Sequence, residues 1–221
     1  MELAPSMIDD ALRFMRVPPE GRDQGLAAMV RETFGKLEPF VRPRTVWGRF
    51  PMTLTEEGVN VAGAEIESAD LAKVMARSSE CYLLAVTLGP EVDRQILLAQ
   101  RRDMLRGLAL DACASVRADA LCDQVEGEII ADLAEGEYLT LRFSPGYGDA
   151  PLSASHEVIT LLNATRRIGL SMTRSQMMTP VKSITALIGV SPQREDRARG
   201  CGQCANRDSC AYRRRGERCG I

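Results

Sequence analysis

The feature that most constrains the fold is a continuous apolar run from Cys81 to Leu88, CYLLAVTL. The run is too short for a stable helix, and it lacks the alternation of apolar and polar residues that marks a strand with one solvated face. It therefore predicts a buried central β-strand. The turn after it contains Pro90 and leads into a helix predicted from Glu91 to about Arg101.

The segments on either side of this run mix helices and strands without strict alternation. Apolar residues at helical spacing, with caps at Ser68 and at Ser153 or Ser155, predict further helices over residues 7–15, 22–37, 69–75, 103–134 and 153–167. Short apolar runs between turn signals predict strands over residues 45–54, 59–66, 137–143, 170–174 and 183–190. We predict an α+β fold in which a largely antiparallel, twisted sheet is flanked by helices.

The composition excludes several classes of protein. The chain has 221 residues, enough for one large domain or two small ones, and its net charge of -2 argues against a protein that coats nucleic acid. No apolar run approaches the roughly 18 residues of a membrane span. The first ten residues lack the basic start of a secretory signal, and the single histidine, His156, excludes an HExxH zinc enzyme. We expect a cytoplasmic protein that binds neither membrane nor nucleic acid.

The seven cysteines divide into two groups. Three lie among apolar residues and are predicted to be small core side chains: Cys81, Cys113 and Cys122. Four crowd the last 21 residues with the spacing C-x2-C-x5-C-x8-C: Cys201, Cys204, Cys210 and Cys219. Four thiolates can complete a tetrahedral metal site. The tail is therefore compatible with a structural zinc ion, with an iron–sulfur cluster, or with a disordered arginine-rich end that holds no metal.

A first candidate site combines Arg142 with the turn Pro-Gly-Tyr-Gly that follows it. Gly146 and Gly148 allow backbone conformations that expose N–H groups. The neighbouring guanidinium could clamp a carboxylate or phosphate with two hydrogen bonds, and Tyr147 offers a flat face for stacking. The combination describes the edge of a pocket for a small anionic ligand with a ring. The alternative is an ordinary tight turn beside a surface arginine.

A second candidate lies on the longest predicted helix. One stripe at helical spacing begins with apolar residues and then turns acidic at Asp119, Asp123 and Glu126. Acids on a stripe that faces the core need a cation, a ligand amine or water opposite them. The alternative is a helix that leaves the core after Val116 and shows its acids to solvent.

The order of motifs from residue 118 onwards resembles a known family. It contains Ala-Asp-Ala-Leu-Cys-Asp at 118–123 and Arg-Phe-Ser-Pro-Gly-Tyr-Gly at 142–148, then a helix, Thr-x-Ser at 173–175 and Pro-x-x-Ser at 180–183. This order resembles the C-terminal activation domain of cobalamin-dependent methionine synthase, although Gly148 stands where the fused enzymes usually have a proline. The short length and the cysteine tail are more similar to the stand-alone activation proteins of bacteria with a split methionine synthase.

The resemblance implies a function and a division of the chain. Residues 1–79 would form N-terminal helices and a β-hairpin, residues 80–192 the core that binds S-adenosylmethionine, and residues 193–221 a Cys/Arg-rich tail with the candidate metal site. The family rescues oxidised cobalamin by reductive methylation, with S-adenosylmethionine as the methyl donor. The implied partners are a cobalamin-binding methionine synthase subunit or another corrinoid protein, and an electron donor.

The resemblance also implies roles for single residues. Arg142 would clamp the methionine carboxylate, and the backbone at Ser144, Gly146 and Tyr147 would hold the adenosine. Asp123 would stand near the ligand ammonium, and Asp119 would face the partner that carries cobalamin. No residue would act as a catalytic acid or base, because the chain's part is to position the methyl group.

Two alternatives to this function stay open at the level of the sequence. The chain could dock a corrinoid protein without binding the ligand, or it could serve another corrinoid methyltransferase without any part in methionine synthesis.

Overall fold

The computed structural model describes residues 4–194. The α-helices in that range are α1 (Pro5–Phe14), α2 (Gln24–Leu37), α3 (Ala69–Val74), α4 (Pro90–Arg102), α5 (Met104–Asp132), α6 (Ala154–Leu161) and α7 (Ala164–Ile168). The strands are β1 (Arg44–Leu54), β2 (Gly58–Val61), β3 (Ala64–Glu67), β4 (Glu80–Thr87), β5 (Tyr138–Leu139), β6 (Ser171–Met172), β7 (Met178–Thr179) and β8 (Ser183–Ser191). The predicted metal ligands lie outside the described residues: Cys201, Cys204, Cys210 and Cys219.

A six-stranded antiparallel sheet organises the fold, with the strand order β3-β2-β1-β4-β8-β5. The predicted central strand is confirmed, because β4 pairs with β1 on one side and with β8 on the other. In this register Leu84 lies between Trp47 and Ala186. A separate two-stranded sheet joins β6 to β7.

The sheet separates two apolar cores because successive side chains of a strand point to opposite faces. One core contains side chains of β4 and β8 that pack against α1, α2 and α5, among them Tyr82, Leu84, Ala186 and Ile188. The other contains their neighbours, which pack against α3, α6 and α7, among them Leu83, Ala85 and Leu187. The three predicted core cysteines, Cys81, Cys113 and Cys122, are indeed buried.

The prediction of a continuous strand over 137–143 is wrong, because a bulge interrupts it. The pairs Leu139–Val190 and Phe143–Leu187 are out of step by one residue, so that two residues, 141 and 142, lie opposite Ile188. The cause is Thr140. Its backbone N–H donates to the Gly189 carbonyl at 2.9 Å, and its hydroxyl oxygen accepts from the Gly189 N–H at 2.9 Å, in place of a second backbone bond. Such bulges redirect a side chain.

Three other boundaries differ from the predictions. The strand predicted over 59–66 is divided into β2 and β3 by a turn in which Ala62 and Gly63 both have positive φ. The helix predicted over 153–167 is divided at Asn163, which has a left-handed conformation, and ends at Gly169 as expected. The strand predicted over 170–174 is reduced to the two residues of β6.

The longest helix agrees closely with its prediction. Asp103 caps α5, since its side chain accepts hydrogen bonds from the N–H groups of Leu105 and Arg106 at 3.0 and 3.2 Å. None of the helices within residues 4–194 combines the length and the apolar character needed to cross a membrane. The proposed division at residue 79 stays a prediction.

The bulge makes the fold sensitive to Thr140, which is completely buried. Replacing it by valine keeps the shape but leaves the Gly189 N–H without its acceptor. We expect Thr140→Val to lower the free energy of unfolding by about 1–3 kcal/mol, as measured by urea denaturation. The matched control is Thr53→Val, because Thr53 is exposed on β1. Equal stability of both variants would contradict this role for the Thr140 hydroxyl.

Candidate functional site

The bulge turns Arg142 towards α5. Phe143 and Leu187 exchange two backbone hydrogen bonds of 2.9 and 2.8 Å, and Phe143 packs into the core on the α6 side of the sheet. The side chain before it therefore points to the opposite face, where α5 lies. Only 8% of the Arg142 side chain is exposed to solvent.

Three carboxylates of α5 meet this guanidinium. Nη1 donates to Asp123 Oδ1 at 2.7 Å and to Glu126 Oε2 at 3.3 Å, and Nη2 lies 3.9 Å from Asp119 Oδ1. Since residues three and four apart share a helix face, the acidic stripe predicted from the sequence faces this one cation. Asp119 and Asp123 are also half exposed, at 50% and 62%, whereas Glu126 is 11% exposed. The acidic stripe therefore contacts both the guanidinium of Arg142 and the solvent.

The positive charge of Arg142 is fixed at neutral pH. Burial acts to lower the pKa of Arg142, but Cys122, which ionises only at high pH, and the carboxylates of Asp123 and Glu126 together raise it above its ordinary value. Burial raises the pKa of the Cys122 thiol to about 12, so Cys122 stays a neutral core side chain. The guanidinium is thus a permanent cation held against α5.

The turn after Arg142 is closed by its own backbone. The N–H of Tyr147 donates to the Ser144 carbonyl at 3.2 Å, and the N–H of Gly146 donates to the Ala150 carbonyl at 3.0 Å. Gly146 has φ of 92°, a conformation that favours glycine. The Tyr147 side chain is 55% exposed, so its ring is available for stacking. Partial burial raises the pKa of Tyr147, with a further increase from Asp119 and an opposing effect of Arg142.

The conformation of the turn explains why this chain has Gly148 where the fused enzymes usually have proline. Its φ is 56°, which the ring of proline cannot adopt. A Cβ atom at this position would also lie 2.6 Å from the Asp70 carboxylate. The turn in this chain therefore requires glycine at position 148.

Asp149 anchors the far end of the turn, a role that the sequence analysis missed. Its carboxylate accepts hydrogen bonds from the Ser68 hydroxyl and from the backbone N–H groups of Ala69 and Asp70, the latter two at 2.8 and 3.2 Å. The Ser68 hydroxyl and these N–H groups hold the pKa of Asp149 below its usual range. The sequence signal was the predicted cap at Ser68, which marks free N–H groups at the start of α3 but does not name a distant acceptor.

A second ion pair extends the polar edge of α5 beyond the acids. Lys182 Nζ lies 2.9 Å from Asp111 Oδ1 and donates to the Ser115 hydroxyl at 2.9 Å. The backbone N–H groups of Val181 and Lys182 donate to the Asp93 carboxylate of α4 at 2.6 and 3.2 Å. The segment that begins β8 is thus fixed to both helices.

We call the assembly of Arg142, the three acids and the turn 144–148 the Arg142 site. It contains the residues predicted to bind the ligand, which are Asp123, Arg142, Ser144, Gly146 and Tyr147, and also Asp119, which is predicted to face the cobalamin-carrying partner. A cation beside half-exposed carboxylates can bind both charged groups of an amino acid. Within residues 4–194, no three His, Cys, Asp or Glu side chains are grouped so as to hold a metal ion.

Comparison with known proteins identifies relatives of the chain. The model of the family "vitamin B12 dependent methionine synthase, activation domain" matches residues 95–217. Among solved structures, the MetH reactivation domain bound to AdoHcy is similar in fold, with a TM-score of 0.58 and 16% sequence identity over 99% of this chain and 86% of that chain. No protein of curated function matches the sequence. The shared fold confirms the predicted α+β architecture.

The anchor at Asp149 yields a stability prediction. Removing the carboxylate leaves the first N–H groups of α3 without an acceptor, so Asp149→Ala should lower the free energy of unfolding by about 1 kcal/mol at neutral pH. Because folding lowers the pKa of Asp149, this contribution is complete above the ordinary carboxyl pKa and is lost as the pH falls through the lowered one.

Urea denaturation at neutral and at acidic pH measures this difference. The control is Glu56→Ala, which removes an exposed carboxylate before β2. A difference between wild type and Asp149→Ala that is absent at neutral pH, or that grows in acid, would contradict the assignment.

Proposed function

The chain belongs to the activation-domain family of vitamin B12-dependent methionine synthase, and on this premise we propose that it binds S-adenosylmethionine at the Arg142 site. In this proposal it is the cytoplasmic reactivation partner of a cobalamin-dependent methionine synthase and supports the reductive methylation of cob(II)alamin. The observation that carries the proposal is the buried guanidinium of Arg142 beside half-exposed carboxylates and an exposed tyrosine.

The ligand's amino-acid end fits the charges of the site. Its carboxylate would accept two hydrogen bonds from Arg142 and so replace part of the contact with Asp123 and Glu126. Asp123 would then be released to pair with the ligand ammonium, which lies two bonds from the carboxylate carbon. The exchange conserves charge, because one carboxylate leaves the guanidinium as another arrives, and the released acid gains a new cation.

The turn after Arg142 suits the nucleoside. The Tyr147 ring is half exposed and can stack on adenine. In this proposal the backbone at Ser144 and Gly146 hydrogen-bonds to the adenosine. The glycine turn is fixed at one end by Phe143 and at the other by Asp149, so binding does not require it to be ordered.

The partner would approach beside Asp119, which is half exposed next to Arg142. The partner's cobalamin, once reduced by an electron donor, supplies the nucleophile that takes the methyl group from the sulfonium. The chain would hold the sulfonium so that the sulfur–methyl bond points at the partner, and S-adenosylhomocysteine would remain after transfer. The solved neighbour was bound to AdoHcy, which supports a nucleoside site of this kind in the fold.

Calorimetric titration with S-adenosylmethionine tests the proposal. Arg142→Ala should weaken binding by about 2–5 kcal/mol, because it removes a buried charge partner of the ligand carboxylate. Arg142→Lys keeps the charge but loses the forked geometry and should also bind more weakly. The matched control is Arg77→Ala, since Arg77 is exposed and its side chain hydrogen-bonds to Gln193.

Three outcomes would overturn parts of this account. If the wild-type protein gives no binding heat, the chain would be a docking module that does not bind S-adenosylmethionine. Variants of Arg142 that circular dichroism shows to be folded, and that bind the ligand as tightly as wild type, would contradict the role of Arg142 as the carboxylate clamp. Co-purification with the corrinoid subunit of a demethylase, and not with methionine synthase, would assign the chain to another methyltransferase.

The cysteine tail is a separate part of the proposal. We propose that Cys201, Cys204, Cys210 and Cys219 together bind one metal centre, because four thiolates at this spacing can complete a tetrahedron. Anaerobically purified protein should contain one zinc ion or one iron–sulfur cluster per chain by elemental analysis, and absorption in the visible range would identify the cluster.

Cys204→Ser should lower the bound metal severalfold, whereas Cys113→Ser, which changes a buried core thiol, should leave it unchanged. Purified protein without stoichiometric metal, or equal metal in both variants, would contradict the site.

A further inference from the structure

The two half-exposed acids of the Arg142 site lie one helical turn apart on α5. Asp119 and Asp123 are separated by four residues, and 50% and 62% of their side chains are exposed. Side chains at this spacing stand about 5–6 Å apart on one face of a helix. Two carboxylates in this arrangement repel each other, so the pair is suited to a ligand that brings two cations at a similar spacing.

S-adenosylmethionine carries two cations with this separation. Its ammonium and its sulfonium are joined through the α carbon and two methylene groups, a span of about 5 Å when extended. S-adenosylhomocysteine, which remains after methyl transfer, keeps the ammonium but has a neutral thioether in place of the sulfonium. Only the methyl donor therefore presents a cation to each of the two acids.

The contacts of the site indicate which acid would meet which cation. Asp123 contacts Arg142 Nη1 at 2.7 Å, and in the proposed function it moves to the ammonium beside the clamped carboxylate. Asp119 lies 3.9 Å from the other terminal nitrogen, Nη2. Burial raises the pKa of Tyr147 most, and the Asp119 carboxylate raises it further, so Asp119 is also close to the ring proposed to stack on adenine. Asp119 thus lies between the two ends of the site, as the sulfonium lies between the two ends of the ligand.

The third acid is less suited to the sulfonium. Glu126 is 11% exposed and contacts Nη1 at 3.3 Å, the same nitrogen that Asp123 contacts. The methyl group on the sulfonium must face a partner that arrives from solvent. A half-exposed carboxylate meets this requirement, and a nearly buried one does not.

We infer that Asp119 is the counter-ion of the ligand sulfonium and allows the Arg142 site to distinguish the methyl donor from its neutral product. The inference rests on the proposed function and deepens it, because it assigns this discrimination to one carboxylate. It agrees with the expectation that Asp119 faces the cobalamin-carrying partner, because the methyl group on that sulfonium is the one transferred.

Methyl transfer itself would remove this ion pair. An electron pair of the reduced cobalt forms the bond to the methyl carbon, and the pair of the sulfur–methyl bond returns to sulfur, which becomes neutral. The ligand then has one cation fewer, and the attraction to Asp119 is lost. The chain should therefore bind the product more weakly than the donor, which favours their exchange after each transfer.

Calorimetric titration with S-adenosylmethionine and with S-adenosylhomocysteine tests the inference. At low salt, wild-type protein should bind the donor about tenfold more tightly than the product, because one more ion pair forms. Asp119→Asn keeps the size of the side chain and removes its charge. It should weaken binding of the donor about tenfold and change the affinity for the product by no more than about twofold. Unchanged binding of the product also shows that the site of the variant is intact.

The salt dependence of binding is a second measurement. Asp119 is half exposed, so dissolved ions screen its contacts. The ratio of the two affinities should fall with increasing NaCl in wild type and should change little in Asp119→Asn. The matched control is Glu128→Gln, which removes an exposed carboxylate nine residues further along α5, on the opposite side of the helix. This control should keep the wild-type ratio at every salt concentration.

The outcomes separate the inference from the proposed function. Wild-type protein that binds neither nucleoside would overturn both. Wild-type protein that binds the two with equal affinity, or the product more tightly, would overturn the inference alone. So would an Asp119→Asn variant in which both affinities fall equally, because Asp119 would then act on the shape of the site and not on the sulfonium charge.

Discussion

A nearly buried guanidinium that faces three carboxylates is the interaction on which the Arg142 site depends. A buried cation without a partner would cost several kcal/mol, and carboxylates spaced by one turn of a helix repel one another when no cation lies between them. Arg142 and the acids of α5 therefore attract one another across the site. Since Asp119 and Asp123 remain half exposed, the same charges stay accessible to an incoming zwitterion.

The fold positions Arg142 through a β-bulge and not through regular strand pairing. A perfect strand would direct residue 142 by simple alternation from residue 140, but the extra residue opposite Ile188 changes that phase. Thr140 and Phe143 hold the bulge from either side, and Asp149 fixes the turn that follows to α3. The site is thus built on β8, α5 and α3 together. Contacts with these elements already hold Arg142 and the turn in place, so ligand binding does not have to order them.

The sequence predicts the regular parts of this arrangement and not the contacts between them. The run 81–88 predicts β4 because uninterrupted apolar residues of that length favour a buried strand, and helical spacing predicts the long helix that begins near Asp103. The acidic stripe indicates that a cation is needed, but nothing local identifies Arg142 as that cation. The bulge depends on a side-chain hydroxyl that replaces a backbone acceptor, and the link from Asp149 to α3 joins residues about eighty positions apart. Contacts of this kind are determined by tertiary packing.

The central claim is that Arg142 exchanges an acid of its own chain for the carboxylate of an amino-acid nucleoside. A crystal structure of the protein with S-adenosylmethionine tests it most directly. The account predicts the ligand carboxylate within hydrogen-bonding distance of both Nη atoms, with adenine against the Tyr147 ring. A site without ligand at saturating concentration, or a ligand bound elsewhere while Arg142 still contacts Asp123 and Glu126, would contradict it.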